Sequence, residues 1–287
     1  MRHFLLYITC IFLVLFSAKA VIAEENCLGC HDPINKLKIK HPAVDMGCNS
    51  CHNAPHAKKK AVLSLTAEIP DLCFNCHDKA MVGKKAVHTP VAGGMCTSCH
   101  NPHGSANPKM LVAEIPDLCF TCHDKAMVEK KSLHAPVAAG MCMSCHNPHS
   151  SDNPGVLVAA IPALCFQCHA TDAMAKKNVH VAAAQGKCLT CHTPHSSENS
   201  FILTSLVEEH CESCHDDQRT GRHVMVRVSP GDNHPLAGKT DPLRAGLKLT
   251  CASCHNPHAA VHPISTKDLR DPAKICLQCH KKINVGQ

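Results

Sequence analysis

Eleven segments of this 287-residue chain read Cys-x-x-Cys-His, and together they use every cysteine except Cys10. The cysteine pairs are Cys27 and Cys30, Cys48 and Cys51, Cys73 and Cys76, Cys96 and Cys99, Cys119 and Cys122, Cys142 and Cys145, Cys165 and Cys168, Cys188 and Cys191, Cys211 and Cys214, Cys251 and Cys254, and Cys276 and Cys279. The histidines that follow are His31, His52, His77, His100, His123, His146, His169, His192, His215, His255 and His280. Any fold of the chain must accommodate these groups with few large apolar residues, since only 3% of the residues are aromatic and Trp is absent. Chains too poor in apolar bulk for a sufficient core are held together by disulfides, metals or cofactors.

The spacing inside the motif has a chemical reason. Residues i, i+3 and i+4 share one face of a helical turn. Two thiols can therefore form thioethers with one porphyrin while the adjacent imidazole reaches its iron, which is the attachment signature of c-type haem. Zinc ribbons pair two Cys-x-x-Cys units, but eleven is odd and zinc does not require His after every second Cys. A disulfide framework suits an exported chain, yet it explains neither the constant spacing nor the His. Thioredoxin-like redox motifs come singly on a βαβ frame. The motifs predict eleven covalently bound c-type haems.

The motifs lie on an internal repeat, the first thing to establish before a fold is argued. Three blocks align without gaps, 69–114, 115–160 and 161–206, with a period of 46 residues. Each unit holds two motifs. The first sits in a segment such as Ile69-Pro-Asp-Leu-Cys-Phe-Asn-Cys-His77, the second in one such as Met95-Cys-Thr-Ser-Cys-His-Asn-Pro-His103. The chain thus reads as five two-haem units and a terminal half unit at Cys276. The first unit is two residues shorter between its motifs, and the fifth carries 17 extra residues within 216–250. The expected divisions are 1–23 (signal peptide), 24–206 (four units, eight haems) and 207–287 (the fifth unit and the half unit, three haems).

This pattern resembles the doubled CXXCH family of multihaem cytochromes, which includes periplasmic pentahaem and decahaem electron carriers. Its most specific element is the second motif with its Pro-His tail, as at Cys96–His103, Cys142–His149, Cys188–His195 and Cys251–His258. The resemblance implies electron transport, two His ligands per iron and an extended row of haems. The spacer Ala54 in the first unit and the insertion in the fifth depart from the family's pattern.

The spare histidines suit that ligation. Outside the motifs and His3, thirteen remain: His41, His56, His88, His103, His134, His149, His180, His195, His210, His223, His234, His258 and His262. One set precedes the second motif by eight residues (His88, His134, His180, with His41 nearly equivalent), and another forms the Pro-His tail (His56, His103, His149, His195, His258). A tail His follows its own motif His by three residues (four at His56) and should face away from that iron, so each is expected to ligate a neighbouring haem. Ligation by His on both sides implies low potentials, because Met as ligand raises them. Met81, Met95, Met127, Met141 and Met174 are read as core filling.

The expected architecture is mostly irregular, with short α-helices of one to three turns and little or no sheet. Pro70, Pro116 and Pro162 are expected at first helical positions. The stretch 224–228 alternates and is read as a lone strand or hairpin. Leu72, Phe74, Leu111, Val112, Leu118, Phe120, Leu164 and Phe166 would pack on the haems, each unit touching its neighbours as in a solenoid.

Arg2, an apolar run over 4–16 and small residues up to Ala20 or Ala23 have the layout of a secretory signal peptide. The run is short for a bilayer span, which takes ~20 residues; the other reading of the segment is an uncleaved membrane anchor. The net charge of +6 is small beside about 22 haem propionates, so the loaded protein is expected to be acidic and not a nucleic-acid binder. The recurring pairs Lys84–Lys85, Lys130–Lys131 and Lys176–Lys177 are read either as propionate partners or a docking face, or as solvated surface. The functional expectation is an electron carrier of an anaerobic respiratory chain in the periplasm, without an integral membrane span once the signal is cut. Its expected partners are a quinol-linked donor at the inner membrane and an acceptor cytochrome in the periplasm or outer membrane. Alternatives are a conduit held in an outer-membrane barrel, a subunit of an extracellular filament, and a multihaem reductase of nitrogen or sulfur oxides. The reductase reading is weakened because no Cys-x-x-Cys-Lys motif occurs and the only Tyr, Tyr7, lies in the signal.

Overall fold

The repeat folds as a series of single turns stitched across unit boundaries. The computed structural model describes residues 27–29, 31–53, 64–216, 240–241, 244 and 246–261. The insertion's alternating stretch at 224–228, His56, His223, His234, His262 and the half unit at Cys276 lie outside them. Among the described residues the α-helices are four residues long, except Val207–Glu212 with six. Helices are therefore nearer one turn than three, which fits a sequence with a Pro or Gly every few residues. No helix among the described residues is long and apolar enough to cross a membrane.

Units two to four each open on the proline before their first motif. Pro70 and Pro116 stand at the N-cap positions of helices Asp71–Phe74 and Asp117–Phe120, one place earlier than the sequence suggests. Both have helical φ and ψ there. In the next unit Pro162 precedes Leu164, which caps the 3₁₀ turn Cys165–Gln167. The glycine two residues before the second motif packs on the same proline. A Cβ built on Gly94, Gly140 or Gly186 would lie 3.1, 3.3 or 2.9 Å from Cδ of Pro70, Pro116 or Pro162. These glycines also have φ near +68°, where side chains are strained. One proline–glycine contact thus fixes the two motifs of a unit against each other.

Among the described residues the paired strands join successive units. Eight two-residue strands make four antiparallel ladders: β1 (Ile39–Lys40) with β3 (Gly104–Ser105), β2 (Ala86–Val87) with β5 (Ser150–Ser151), β4 (Ser132–Leu133) with β7 (Ser196–Ser197), and β6 (Asn178–Val179) with β8 (Ala259–Ala260). In every case one strand precedes the second motif of a unit and its partner follows the second motif of the next. The second strands carry only Gly, Ser and Ala, and these small residues are almost all buried, Ala259 and Ala260 completely. At Gly104 a Cβ would meet the Ile39 carbonyl oxygen at 2.3 Å. Two hydroxyls add a further stitch, Ser150 donating to the Met81 carbonyl at 2.8 Å and Ser196 to that of Met127 at 2.7 Å. Two-stranded pairs of this size are not stable alone in water, so the ladders set register while other interactions must carry the stability.

The polypeptide supplies little of that itself. Among the described residues only Leu249, Ala259 and Ala260 are buried apolar residues. The leucines and phenylalanines flanking the motifs are half covered, and Val112 is exposed. Met81, Met95, Met127 and Met141 are exposed too, so the polypeptide does not use them to fill a core.

Candidate functional site

Every ladder brings two histidines together from adjacent units. The His41 amide donates to the His103 carbonyl, His88 to His149, His134 to His195 and His180 to His258, at 2.8–3.0 Å. These backbone pairs set eight side chains in place, and each faces a motif histidine. The histidines before the second motif reach forward, His41 to His77, His88 to His123, His134 to His169 and His180 to His215. The tail histidines reach back, His103 to His52, His149 to His100, His195 to His146 and His258 to His192. Neighbouring units therefore exchange histidines: each gives one to the other across the junction.

The ring centres are 6.0 Å apart in six pairs, 5.9 Å for His192–His258 and 6.3 Å for His180–His215. Two imidazoles bound on opposite sides of one metal at ~2.0–2.1 Å, with ~1.2 Å from nitrogen to ring centre, would have centres roughly 6 Å apart. The spacing fits an iron between each pair. The donor set fits as well, since two thiols and the motif His stand at the spacing that thioether attachment requires.

Hydrogen bonds orient the rings. In the second motifs, Nδ1 of His100, His146 and His192 donates to the carbonyls of Lys109, Gly155 and Phe201 at 2.9, 3.0 and 3.1 Å. A carbonyl can only accept, so Nδ1 carries the proton and Nε2 is left for a metal, the usual outer-shell arrangement. The loop that brings these carbonyls back closes with bridges His100↔Leu111, His146↔Leu157 and His192↔Leu203. The presenting residue is left-handed in all three loops, Lys109 at φ 58°, Gly155 at 66° and Phe201 at 60°. His52 makes the same bridge to Leu65, and its Nδ1 is buried with no acceptor among the described residues. Nδ1 of His88 and His134 donates instead to the carbonyls of Pro148 and Pro194, at 3.0 and 2.9 Å.

The Pro-His tail thus has two tasks, its proline carbonyl orienting one histidine while its own histidine faces another. The residue before the proline holds the turn. Asn101, Asn147 and Asn256 accept from the amides of His103, His149 and His258 at 3.0 Å, a side-chain-closed turn. Thr193 serves the corresponding place by donating to Ser196. Burial first, then the facing motif histidine, holds His103, His149, His195 and His258 below the usual imidazole range, and His41 likewise. Both causes favour the neutral ring, the form that ligates metals.

The motif thiols place the sites in order. Cys73 and Cys96, Cys119 and Cys142, and Cys165 and Cys188 share hydrogen bonds within a unit, and burial before all else pushes Cys73, Cys119 and Cys165 up. Across junctions Cys99 lies near Cys122, Cys145 near Cys168 and Cys191 near Cys214. Each of these motifs is beside the next in the chain.

The sequence reading located the histidines but missed the backbone acceptors at Lys109, Gly155, Phe201, Pro148 and Pro194. A glycine at 155 was the one sequence signal for a left-handed turn. His210 is a candidate ligand that the structure places elsewhere: its ring lies between the Thr204 hydroxyl at 3.3 Å and the Cys191 sulfur at 3.0 Å.

Comparison with known proteins agrees with this organisation. The doubled CXXCH motif family matches residues 41–82, 88–128, 134–174, 180–220 and 241–285. A multiheme cytochrome MtrA from Shewanella baltica (strain OS185) is similar at 33% identity over 103 residues. That similarity covers 32% of this chain and 30% of the relative, well under two thirds of its length. With the family matched over most of its length, in segments that each contain paired haem-attachment motifs, the chain belongs to the doubled CXXCH motif family and is a multihaem c-type cytochrome that carries electrons.

Proposed function

We propose that the mature chain is an undecahaem electron conduit of the periplasm, serving an anaerobic respiratory chain, with most irons held by two histidines. The observation that carries this reading is the set of eight histidine pairs with ring centres 5.9–6.3 Å apart, each joining a motif His to a spare His of the adjacent unit. Bound haem supplies one-electron chemistry; the chain supplies order, spacing and ligand orientation. The neighbouring motif thiols support an electron path that follows the sequence. The remaining motif histidines, His31, His255 and His280, would draw on His56, His223, His234 and His262.

Residues 1–23 act as the export signal in this reading, cut after Ala20 or Ala23. Residues 24–206 form an eight-haem wire and 207–287 a three-haem end. A quinol-linked donor and an acceptor cytochrome would dock at opposite ends. Closed coordination by His on both sides favours a carrier over a reductase, which needs an exchangeable site. Intact mass of the exported protein tests the count and the cleavage site together. Eleven haem increments with a low-spin spectrum are expected. A colourless protein, or thiols bound to zinc or to each other, would overturn the proposal.

A further inference from the structure

At one junction of the repeat a polar pair stands where its predecessors carry apolar residues. After each second motif, the chain returns to donate an amide to the carbonyl of that motif's second cysteine. Thr66 donates to Cys51, Val112 to Cys99, Val158 to Cys145 and Thr204 to Cys191, at 2.9–3.0 Å. Six residues further on stand Leu72, Leu118, Leu164 and His210, each just before a first-motif cysteine. Val112 with Leu118 and Val158 with Leu164 are apolar in both members, whereas Thr204 with His210 is polar in both. Thr66 is polar alone, and its hydroxyl turns to the carbonyls of Ser50 and Cys51 at 3.5 and 3.4 Å.

The polar pair meets at a haem-attachment sulfur. Thr204 Oγ1 lies 3.3 Å from Nδ1 of His210, and Nε2 of the same ring lies 3.0 Å from Sγ of Cys191. The ring is half-buried and is carried by the helix Val207–Glu212, where the His210 amide donates to the Leu206 carbonyl at 2.9 Å. Together with the Thr204 amide on the Cys191 carbonyl, these contacts close a circuit through Cys191, Thr204 and His210. In a thioether the Cys191 sulfur has no proton and can only accept. Nε2 therefore carries the proton of the neutral ring, and Nδ1 accepts from the Thr204 hydroxyl. The hydroxyl and the ring then form a short chain of donors that polarise one another.

We propose that His210, supported by Thr204, donates a hydrogen bond to the thioether sulfur of Cys191 and so raises the reduction potential of the haem attached at Cys188 and Cys191. The comparison is with the value that site would have with the Val and Leu of the preceding units. This rests on the haem-carrying reading above. The donated N–H turns the positive end of its dipole toward the haem and draws electron density from the sulfur. Both effects favour the ferrous state, which bears one positive charge fewer than the ferric state, and outer hydrogen bonds of this kind tune haem potentials. His210 does not face the iron; it acts through the sulfur. The haem it tunes is the last of the regular eight-haem part, so an electron moving along the row meets a more favourable site just before the three-haem end.

The test is spectroelectrochemistry of the whole haem-loaded protein at a single pH, wild type against His210→Leu, which restores the residue of the other units. One haem's share of the absorbance change should move to lower potential, with the haem mass and the low-spin spectrum retained. The direction separates this role from packing. An apolar side chain in place of a polar ring disfavours the more highly charged ferric state and would by itself move that share upward. An unmoved or raised share at unchanged haem mass would overturn the proposal. Should His210→Leu fail to load its haems, the converse graft decides. Val158→Thr with Leu164→His should move the share of the haem at Cys142 and Cys145 to higher potential, and an unmoved or lowered share overturns the proposal equally. Failure of the haem reading itself would be seen earlier, as wild-type protein without a haem spectrum.

Discussion

The two motifs of a unit make sites of different regularity. Facing rings at the second motifs are inclined by 19°, 19°, 21° and 21° from one end of the described chain to the other. At the first motifs the angles are 33°, 10°, 12° and 53°. The difference follows the hydrogen bonds. Second-motif histidines are half-buried, and the carbonyl of the loop that follows orients the ring in units two to four. First-motif histidines His77, His123, His169 and His215 are exposed. Their partners are parallel only where Nδ1 donates to a proline carbonyl, at His88 and His134. His41, in the short first unit, and His180, which pairs with the irregular fifth unit, have no such bond among the described residues and are the tilted ones. A site anchored through its own unit tolerates irregular neighbours; one anchored through its neighbour inherits their irregularity.

The largest test of this contrast removes a facing histidine from each kind of site. His149→Ala and His88→Ala should each leave one iron without its second imidazole, so each should convert one haem's share of the low-spin spectrum to high-spin. His149 is the more deeply held, by Asn147 and by burial that keeps its ring neutral. Its loss should also lower the thermal midpoint more than that of His88. Equal destabilisation would remove the distinction between the sites.

A subtler substitution tests the cause of the tilt. Asn147→Ala removes the side-chain acceptor that shapes the Pro148 turn, at a cost of about 1 kcal/mol. Low-spin ferric resonance signals respond to the angle between axial imidazole planes. The variant should move one signal from the parallel class to the tilted class, because Pro148 no longer aims its carbonyl at His88. The second-motif signals should stay where they are. A spectrum identical to that of the wild type would show that the proline carbonyl does not set the angle.

What could be read from the sequence follows the same division. The motifs, the 46-residue period, the short helices and the two classes of spare histidine are local patterns, and they were legible. That a tail histidine faces a motif histidine other than its own also followed locally, since it stands three residues past its own motif His. Which neighbour was not legible, because His149 finds His100 rather than a later motif only through the β2/β5 ladder, a two-residue pairing of Ala-Val with Ser-Ser that no composition signals. The orienting carbonyls were hidden for a different reason. Every residue has one, and Lys109 and Phe201 adopt left-handed backbone that their side chains do not advertise.

The smallest test concerns those left-handed loops, which the second-motif sites depend on. A non-glycine residue in this conformation costs roughly 1–2 kcal/mol, partly offset by the roughly 0.5–1 kcal/mol of extra chain entropy that glycine loses on folding. Unit three already has glycine there, whereas units two and four have Lys109 and Phe201. Both side chains are exposed, Phe201 by 59%, so little packing is lost on their removal. Lys109→Gly and Phe201→Gly should each raise stability by up to about 1 kcal/mol, and Gly155→Ala should lower it by a similar amount, all measured as shifts in the denaturation midpoint. None should alter the ring angles, because the carbonyl stays in place for Nδ1. If instead Gly155→Ala were neutral in midpoint while it tilted the His146–His195 pair, the loop would be a flexible spacer, and the regularity of the second-motif sites would need another origin.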